Sequence, residues 1–246
     1  MNTTISQIKE RNSTTIEKTT FSLPPQIPDY LEKVYWWAYV RPYAINFFDR
    51  PWIVNLILFG NMSKLRDKAL DALGKTIHGR TLQIASVYGD YAVKMAERIA
   101  DGGSLDIVDV VPGQLNNLRK KLPESAPVRL IQNDASDIQL EDASYDHVVL
   151  FFLLHEMPAD FREKTLKEAV RLLKPGGRLV LIDYHKPFAW NPFRYFFPFL
   201  FRALEPFALD IWKNEIKDWL PSEFTPRSIT KETIFGGVYQ KVVIDK

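Results

Sequence analysis

One stretch of the chain decides the fold: residues 81–90, which read TLQIASVYGD. The apolar start of this stretch predicts a buried strand, and residues 91–100 have the pattern of a helix. A strand, a tight turn and a helix in this order are typical of nucleotide-binding sites, where the turn is rich in glycine. Here the turn contains one glycine, Gly89, and other residues stand where the signature has its further glycines.

The acidic half of the signature is present on the next predicted strand, residues 105–110. Asp109 follows Gly89 by twenty residues, which is the offset at which such sites bind a ribose hydroxyl. The structural alternative is that Asp109 caps the helix that begins after Pro112. We interpret the chain as an adenosine-cofactor enzyme whose chemistry has changed.

The pattern between about residue 80 and residue 183 alternates strands with helices. Strands are predicted at 81–87, 105–110, 128–132, 147–153 and 178–183, helices near 91–100, 112–121 and 159–173, and a hairpin at 229–235 and 239–244. The sequence therefore predicts an α/β fold with a doubly wound, mostly parallel Rossmann-like sheet. We expect a disordered tail over residues 1–25, a helical lid over 26–79, and a cofactor domain over 80–246 with an aromatic-rich insertion at 187–220 before the last hairpin.

Composition excludes several classes of function. The 246 residues carry 32 Lys and Arg against 30 Asp and Glu, so a nucleic-acid partner is not expected. The chain has no cysteine, which excludes disulfides, thiolate metal sites and a cysteine nucleophile. Residues 1–20 do not resemble a secretory signal, and no apolar run is long enough to span a bilayer. We expect a cytoplasmic protein that contacts a membrane without crossing it.

Two segments are unusually aromatic. Residues 30–52 contain nine Phe, Trp and Tyr, and residues 187–212 contain ten, with four prolines that predict short helices in the second segment. Such segments suit a cover over a large apolar substrate, and the alternative is that they simply pack as helices.

Ligands of a doubly wound sheet bind at the carboxyl ends of its strands. Asp134 follows the third strand, at a position where an acid or amide accepts a hydrogen bond from an adenine amino group. The alternative is that Asp134 only stabilises the turn. We predict that the cofactor is held by Tyr88, Gly89, Asp109, Val110, Asn133, Asp134, Ala135 and Phe151.

Two histidines stand at the ends of the fourth and fifth strands. His155, Asp183 and His185 are a candidate ligand set for a hard divalent ion such as Mn²⁺ or Mg²⁺, with Asp90 as a further ligand. His155, Asp90 and His185 are the candidate catalytic residues. The structural alternatives are a buried, hydrogen-bonded His155 and a helix-capping Asp90.

The layout up to the sequence LKPGG at 173–177 resembles the class I S-adenosylmethionine-dependent methyltransferases. More specifically, the chain resembles the RquA-like rhodoquinone biosynthesis enzymes, which are related to the ubiquinone methyltransferases. The stretches that carry this resemblance are YWWAYV at 35–40, FDR at 48–50, NLIL at 55–58, YGD at 88–90, LFFLLHE at 150–156 and DYH at 183–185.

The resemblance implies that a ring methoxy group of ubiquinone is replaced by an amino group, with S-adenosylmethionine as amino donor and Mn²⁺ as metal. Asp109 and Asp134 match the family's cofactor-binding acids, and the aromatic segments become covers for a polyprenyl quinone at the inner membrane. A metal would stabilise the charge on the ring oxygens, and His155 would act as general base. The alternatives are an ordinary O- or C-methyltransferase acting on a quinone precursor and a non-catalytic scaffold that binds quinone or cofactor.

Overall fold

The computed structural model describes residues 16–17 and 25–246, and within them a mixed sheet forms the centre of the molecule. Its main strands are β1 (Arg80–Ile84), β2 (Ser104–Asp109), β3 (Val128–Gln132), β4 (Tyr145–Phe151), β5 (Leu173–Tyr184), β6 (Ser228–Ile234) and β7 (Tyr239–Asp245). The spatial order is β3-β2-β1-β4-β5-β7-β6. The first five strands are parallel, and β7 runs antiparallel to both β5 and β6. A two-residue strand, Ile16–Glu17, pairs with the edge strand β3.

This sheet confirms the predicted doubly wound, mostly parallel fold, and its differences from the prediction are local. The helix expected at 91–100 ends at Ala96. Strand β5 begins at Leu173 instead of 178, because Leu173 already pairs with Tyr145. The irregular register that follows is accommodated by Gly176, whose φ of +76° is open to glycine without strain.

Helices cover both faces of the sheet. They are α1 (Asp29–Val34), α2 (Pro42–Phe48), α3 (Pro51–Ile57), α4 (Met62–Leu73), α5 (Tyr91–Ala96), α6 (Pro112–Lys121), α7 (Ala159–Leu172) and α8 (Phe193–Leu204), with a π-helical turn at Trp36–Val40 and short 3₁₀ turns at Leu154–Glu156, Ala208–Trp212 and Ile216–Trp219. In the described ranges, no helix is long and apolar enough to cross a membrane. The expected disordered tail falls almost wholly outside the described residues, and the domain boundaries remain predictions.

Helix α8 corrects the expectation that prolines divide the second aromatic segment into short helices. It runs for 12 residues with Pro198 in its interior. An interior proline removes one helical hydrogen bond and typically costs about 3 kcal/mol. Phe197 and Phe201 on the same helix are buried against the core, and this apolar burial offsets the cost.

Buried apolar side chains form a core on each face of the sheet. In β4, Val148 and Leu150 pack in the cluster that includes α7, whereas Val149 and Phe151 pack in the cluster that includes α4, α5 and α6. Alternate side chains of a strand point to opposite faces, so a strand with two buried faces is apolar throughout. The helices therefore change face between β1 and β4, which is the switch point of a doubly wound sheet.

Both strands at this switch point are followed by a non-glycine residue in the left-handed region. Ala85 follows β1 with φ of +66°, and Phe152 follows β4 with φ of +55°. The left-handed conformation costs an L-residue about 1–2 kcal/mol, and such outliers concentrate at functional sites. The turn after β1 thus keeps a conformation that favours glycine although an alanine occupies it.

This conformation gives a test of the turn. We expect Ala85→Gly to change the free energy of unfolding by no more than about 1 kcal/mol, and in the stabilising direction, because relief of the strained φ offsets the greater freedom of the unfolded chain. Ala72→Gly in helix α4 is the matched control and should cost about 1 kcal/mol. Urea denaturation of both variants measures the difference, and equal losses would contradict the strained conformation.

Candidate active site

A cavity lies at the carboxyl ends of β1 to β4, where the strand order reverses. Its sheet side is formed by Ala85 to Tyr88, by Val108 to Val111, by Asn133 to Ala135 and by Phe151 to Leu153. Its opposite wall comes from the helices before β1, through residues that include Tyr30, Leu31, Tyr39, Val54, Leu58 and Met62. The cavity therefore stands between the sheet and the N-terminal helices, at the edge that the fold makes available to ligands.

The structure brings most of the predicted cofactor residues to this cavity. Tyr88, Asp109, Val110, Asn133, Asp134, Ala135 and Phe151 all line it. Gly89 is not part of the lining, although it belongs to the same turn. Binding of a cofactor by these residues remains a prediction.

Asp109 joins the ends of the first two strands. Its carboxylate accepts hydrogen bonds from the backbone N–H groups of Ser86 and Val111, each at 2.8 Å. Burial raises the pKa of this carboxyl to about 6, while the two N–H groups hold it lower than burial alone would. Each oxygen keeps a second lone pair, so the ionised group can still accept bonds from a pair of ligand hydroxyls. These free acceptor positions fit the two hydroxyls of the ribose of an adenosine cofactor.

Asn133 and Asp134 form the next part of the wall, after β3. The backbone N–H of Asn133 donates to the carbonyl oxygen of Asp109 at 3.1 Å, which ties this loop to the end of β2. One carboxylate oxygen of Asp134 accepts bonds from the backbone N–H and the hydroxyl of Ser136. The turn-residue alternative for Asp134 is therefore real, and it is compatible with a second role at the cavity.

The turn after β1 is held by the N-terminal helices. The hydroxyl of Tyr88 donates to the carbonyl oxygen of Ala38 at 2.5 Å, and its ring stacks on that of Tyr39. The backbone N–H of Gly89 donates to Asp49 at 2.8 Å. Lys121 binds both the Asp49 carboxylate and the carbonyl oxygen of Gly89. The backbone N–H of this glycine is thus already hydrogen-bonded to a carboxylate of the protein itself.

Asp90 is a correction to the predicted site. Its carboxylate forms an ion pair with Arg66 of helix α4 at 2.6 Å, and it does not line the cavity. It precedes helix α5, but its side chain makes no capping hydrogen bond there. The structure therefore supports neither the catalytic nor the capping interpretation of Asp90.

His155 and Asp183 form a buried pair behind the cavity. Nδ1 of His155 lies 2.9 Å from an oxygen of Asp183, and the same carboxylate accepts the backbone N–H groups of Leu154 and Tyr184. Burial by itself lowers the pKa of His155, but the charge and hydrogen bond of Asp183 outweigh it and raise the pKa to about 9. His155, which lines the cavity, is therefore an imidazolium near neutral pH. In this form it is a hydrogen-bond donor, and its catalytic role remains a prediction.

The predicted metal site does not form. His185 lies apart from the pair, with Nδ1 2.9 Å from the carbonyl oxygen of Gly237, and it does not line the cavity. Asp183 is engaged by the backbone and by the imidazolium of His155, which cannot bind a cation. In the part of the chain that the structure describes, no three His, Cys, Asp or Glu residues are grouped closely enough to hold a metal ion. The residues at these strand ends do not fit Mn²⁺.

Two buried carboxyl groups line the cavity beside His155. Glu156 accepts a hydrogen bond from the hydroxyl of Tyr39, and its Oε1 lies 3.7 Å from Nε2 of His155. Burial raises the pKa of Glu156 to about 8, although the charge of His155 opposes this. Glu205, which follows helix α8, also lines the cavity, and burial raises its pKa as well.

Sequence reasoning kept Glu156 only as a second choice after His155 and missed Glu205 altogether. Glu205 lies about fifty residues along the chain from Glu156 and outside the predicted sheet. The available signal was that Glu205 is the one carboxylate between residues 187 and 209, in a segment that is otherwise aromatic and basic.

Comparison with known proteins agrees with this architecture. Residues 82–177 match a family model described as a methyltransferase domain. The chain is 24% identical over 165 residues to the demethylmenaquinone methyltransferase of Bacillus licheniformis, covering 67% of this chain and 70% of that protein. It is 30% identical over 165 residues to the ubiquinone/menaquinone biosynthesis C-methyltransferase UbiE of Rickettsia prowazekii, covering 58% of this chain and 64% of that protein. Further relatives of the latter kind are matched over about half of their length.

Solved structures share the fold at lower identity. The geranyl diphosphate C-methyltransferase of Streptomyces coelicolor A3(2) is 17% identical with a TM-score of 0.56, covering 90% of this chain and 99% of that one. A SAM-dependent methyltransferase of Aquifex aeolicus is also 17% identical with a TM-score of 0.51, covering 83% and 98%. These likenesses establish a Rossmann-like methyltransferase fold.

The His155–Asp183 pair makes stability depend on pH. A histidine whose folded pKa is raised stabilises the protein fully below its unfolded value near 6.5, and this contribution is lost as pH rises to about 9. Glu156 and Glu205, whose pKa values are also raised, make stability fall with rising pH in the same direction, so the contribution of His155 is read from the difference between wild type and variant. We expect His155→Gln to lower the free energy of unfolding at pH 7 by about 3 kcal/mol, because it removes one partner of a buried ion pair.

The measurement is urea denaturation at several pH values, with exposed His78→Gln as the matched control. Wild type and the control should lose stability as pH rises from about 6.5 to 9, and His155→Gln should lose less over the same range. A variant that follows the wild-type pH dependence would contradict the imidazolium assignment.

Proposed function

We propose that this chain is an S-adenosylmethionine-dependent enzyme of the class I methyltransferase superfamily that acts on the ring of a lipid quinone or of a quinone precursor. The observation that carries this proposal is that one cavity has two chemically different parts. Asp109, Asn133 and Asp134 stand on the sheet side, and the acid–base group of His155 and Glu156 stands beside apolar side chains. The relatives named for menaquinone and ubiquinone biosynthesis support the choice of substrate.

Two reactions are compatible with this substrate. The relatives favour methyl transfer, which is the activity that their names carry. The turn after β1 favours amination, in which the amino group of the cofactor replaces a ring methoxy group. Ala85 and Val87 stand in a turn that is usually glycine-rich, and the Gly89 N–H is taken by Asp49. Because the amino-acid end of the cofactor would be held differently by such a turn, we propose conversion of ubiquinone to rhodoquinone as the reaction, with methylation of a quinone precursor as the second candidate.

Bound S-adenosylmethionine supplies the group that is transferred. The chain's residues then have three tasks in either reaction. Asp109 binds and orients the ribose through its free lone pairs. The His155 imidazolium, fixed by Asp183, donates a hydrogen bond toward an oxygen of the ring and so stabilises negative charge that develops there. Glu156, which is held by the Tyr39 hydroxyl, positions the ring hydroxyl or the attacking amine through a hydrogen bond.

The test of this proposal is the product mass. Purified protein is incubated with S-adenosylmethionine and either a short-tailed ubiquinone or a demethylated quinol, with and without Mn²⁺. Replacement of methoxy by amino lowers the mass of the quinone by about 15 Da, whereas methylation raises that of the quinol by about 14 Da, from the atomic composition of the groups exchanged. Asp109→Asn should weaken cofactor binding in calorimetry by roughly tenfold or more, since a charge-assisted hydrogen bond is lost. Tight cofactor binding without either product would favour the non-catalytic scaffold.

The exposed aromatic side chains support a second part of the proposal, contact with a membrane surface. Trp190, Phe196 and Phe199 are exposed by 73%, 55% and 70%, and Trp52 and Leu56 by 60% and 66%. The two segments that carry them are joined, since the ring of Phe59 lies 4.5 Å from that of Phe193. Exposed apolar groups of this size beside arginines are typical of proteins that lie on anionic bilayers. A membrane-bound quinone would then reach the cavity without passing through water.

We expect the double variant Phe196→Ser/Phe199→Ser to lose most of its binding to vesicles that contain anionic lipid, because it removes two exposed rings from helix α8. Phe197→Ser is unsuitable for this purpose, since Phe197 is buried and its loss would destabilise the core. Flotation measures binding, and exposed Ile229→Ser on strand β6 is the matched control. A double variant that floats like wild type would refute membrane contact through α8.

A further inference from the structure

Glu205 is placed in the cavity by the aromatic segment and not by the sheet. It follows the last residue of α8, and its backbone N–H donates to the carbonyl oxygen of Phe201 at 2.8 Å. Its side chain lines the same cavity as those of His155, Glu156 and Asp109. The aromatic segment therefore contributes a titratable group to the site as well as an apolar surface.

The carboxyl group of Glu205 has a free acceptor atom. Its Oε2 is buried and has no hydrogen-bond partner among the described residues. Buried polar atoms are nearly always hydrogen-bonded, and leaving one unpaired typically costs about 1–3 kcal/mol. This oxygen is therefore available to accept a hydrogen bond, either from the nearby hydroxyl of Tyr35 or from a ligand in the cavity.

Glu156 differs from Glu205 in this respect. Oε1 of Glu156 already accepts the hydroxyl of Tyr39 and faces the imidazolium of His155. The titratable groups that face Glu205 are His155 and Glu156 after β4, Asp183 and Tyr184 at the end of β5, and Tyr35 and Tyr39 after helix α1. The positive charge of His155 favours the ionised form of Glu205, whereas burial and Asp183 favour the protonated form. A carboxyl group under these opposing influences can gain and release a proton.

We propose that Glu205 is a catalytic residue whose free carboxylate oxygen binds a ring substituent of the substrate and takes up one proton from it or from the attacking group. In this step an O–H or N–H bond of the bound molecule breaks, its electron pair stays on oxygen or nitrogen, and a carboxylic acid O–H forms on Glu205. The inference rests on the proposed function, because it assumes a quinone-type ring in the cavity. It adds that the aromatic segment supplies the proton acceptor.

The test compares Glu205→Gln, which keeps the shape and removes the ionisation, with Glu205→Asp, which keeps the ionisation. Exposed Glu163→Gln on helix α7 is the control for loss of one charge. Turnover is measured with S-adenosylmethionine and a short-tailed ubiquinone or a demethylated quinol as a function of pH. Cofactor binding is measured by calorimetry, and folding by thermal melting.

We expect kcat of Glu205→Gln to fall by 10²–10⁴-fold, which is the usual contribution of a positioned acid or base, with KM and cofactor affinity changed by less than about threefold. The variant should melt no lower than wild type, since an unpaired buried carboxyl is gone. Wild-type kcat should rise with pH as the carboxyl ionises, Glu205→Gln should lose this rise, and Glu205→Asp should keep it.

Two outcomes would overturn the inference. If wild type turns over either substrate and Glu205→Gln keeps its rate and its pH profile, Glu205 is not catalytic and the proposed function stands. If folded wild type binds the cofactor but forms neither product, the proposed function falls and the role of Glu205 falls with it.

Discussion

The reversal of strand order between β1 and β4 is the constraint on which the site depends. Because the helices that follow these two strands lie on opposite faces of the sheet, neither of these two helices covers the sheet edge between them. Both strands end in a left-handed residue, Ala85 and Phe152, which turns the chain away from the strand axis and opens the crevice further. The N-terminal helices close over it, and a cavity remains.

The electrostatics of the cavity follow from one buried carboxylate. Asp183 is satisfied by backbone N–H groups and holds His155 as an imidazolium. That cation in turn limits how far burial raises the pKa of Glu156 and Glu205. A buried cation between carboxyl groups repels a metal ion and attracts negative charge, so the site is suited to stabilising an anionic ring. The same arrangement explains why His155, which by its residue type is the natural candidate base, becomes a donor.

The sequence predicts those parts of the fold and site that depend on local pattern. Alternating strands and helices predict the sheet, and Asp109, Asn133 and Asp134 were found because strand ends share one edge in a parallel sheet. Asp90 was misassigned because its partner, Arg66, lies on a helix whose packing no local pattern reveals. His185 was misassigned because Gly237 on the hairpin before β7 competes for its imidazole. Glu205 was missed because its approach to Glu156 depends on how α8 packs, which is set by the burial of Phe197 and Phe201.

These differences also indicate where the chemistry of the chain is determined. The methyltransferase family model covers residues 82–177, a range that includes Asp109 and most of the parallel part of the sheet. Asp49, which takes the glycine N–H of the turn, and Tyr39, which binds Glu156, lie before that range, and Glu205 lies after it. Tyr39 and Asp49 belong to the first aromatic segment and Glu205 belongs to the second. Three groups at the cavity or its turn thus come from outside the family domain, and under the proposed function these covering segments would hold the reactive end of the cofactor and exchange protons with the ring.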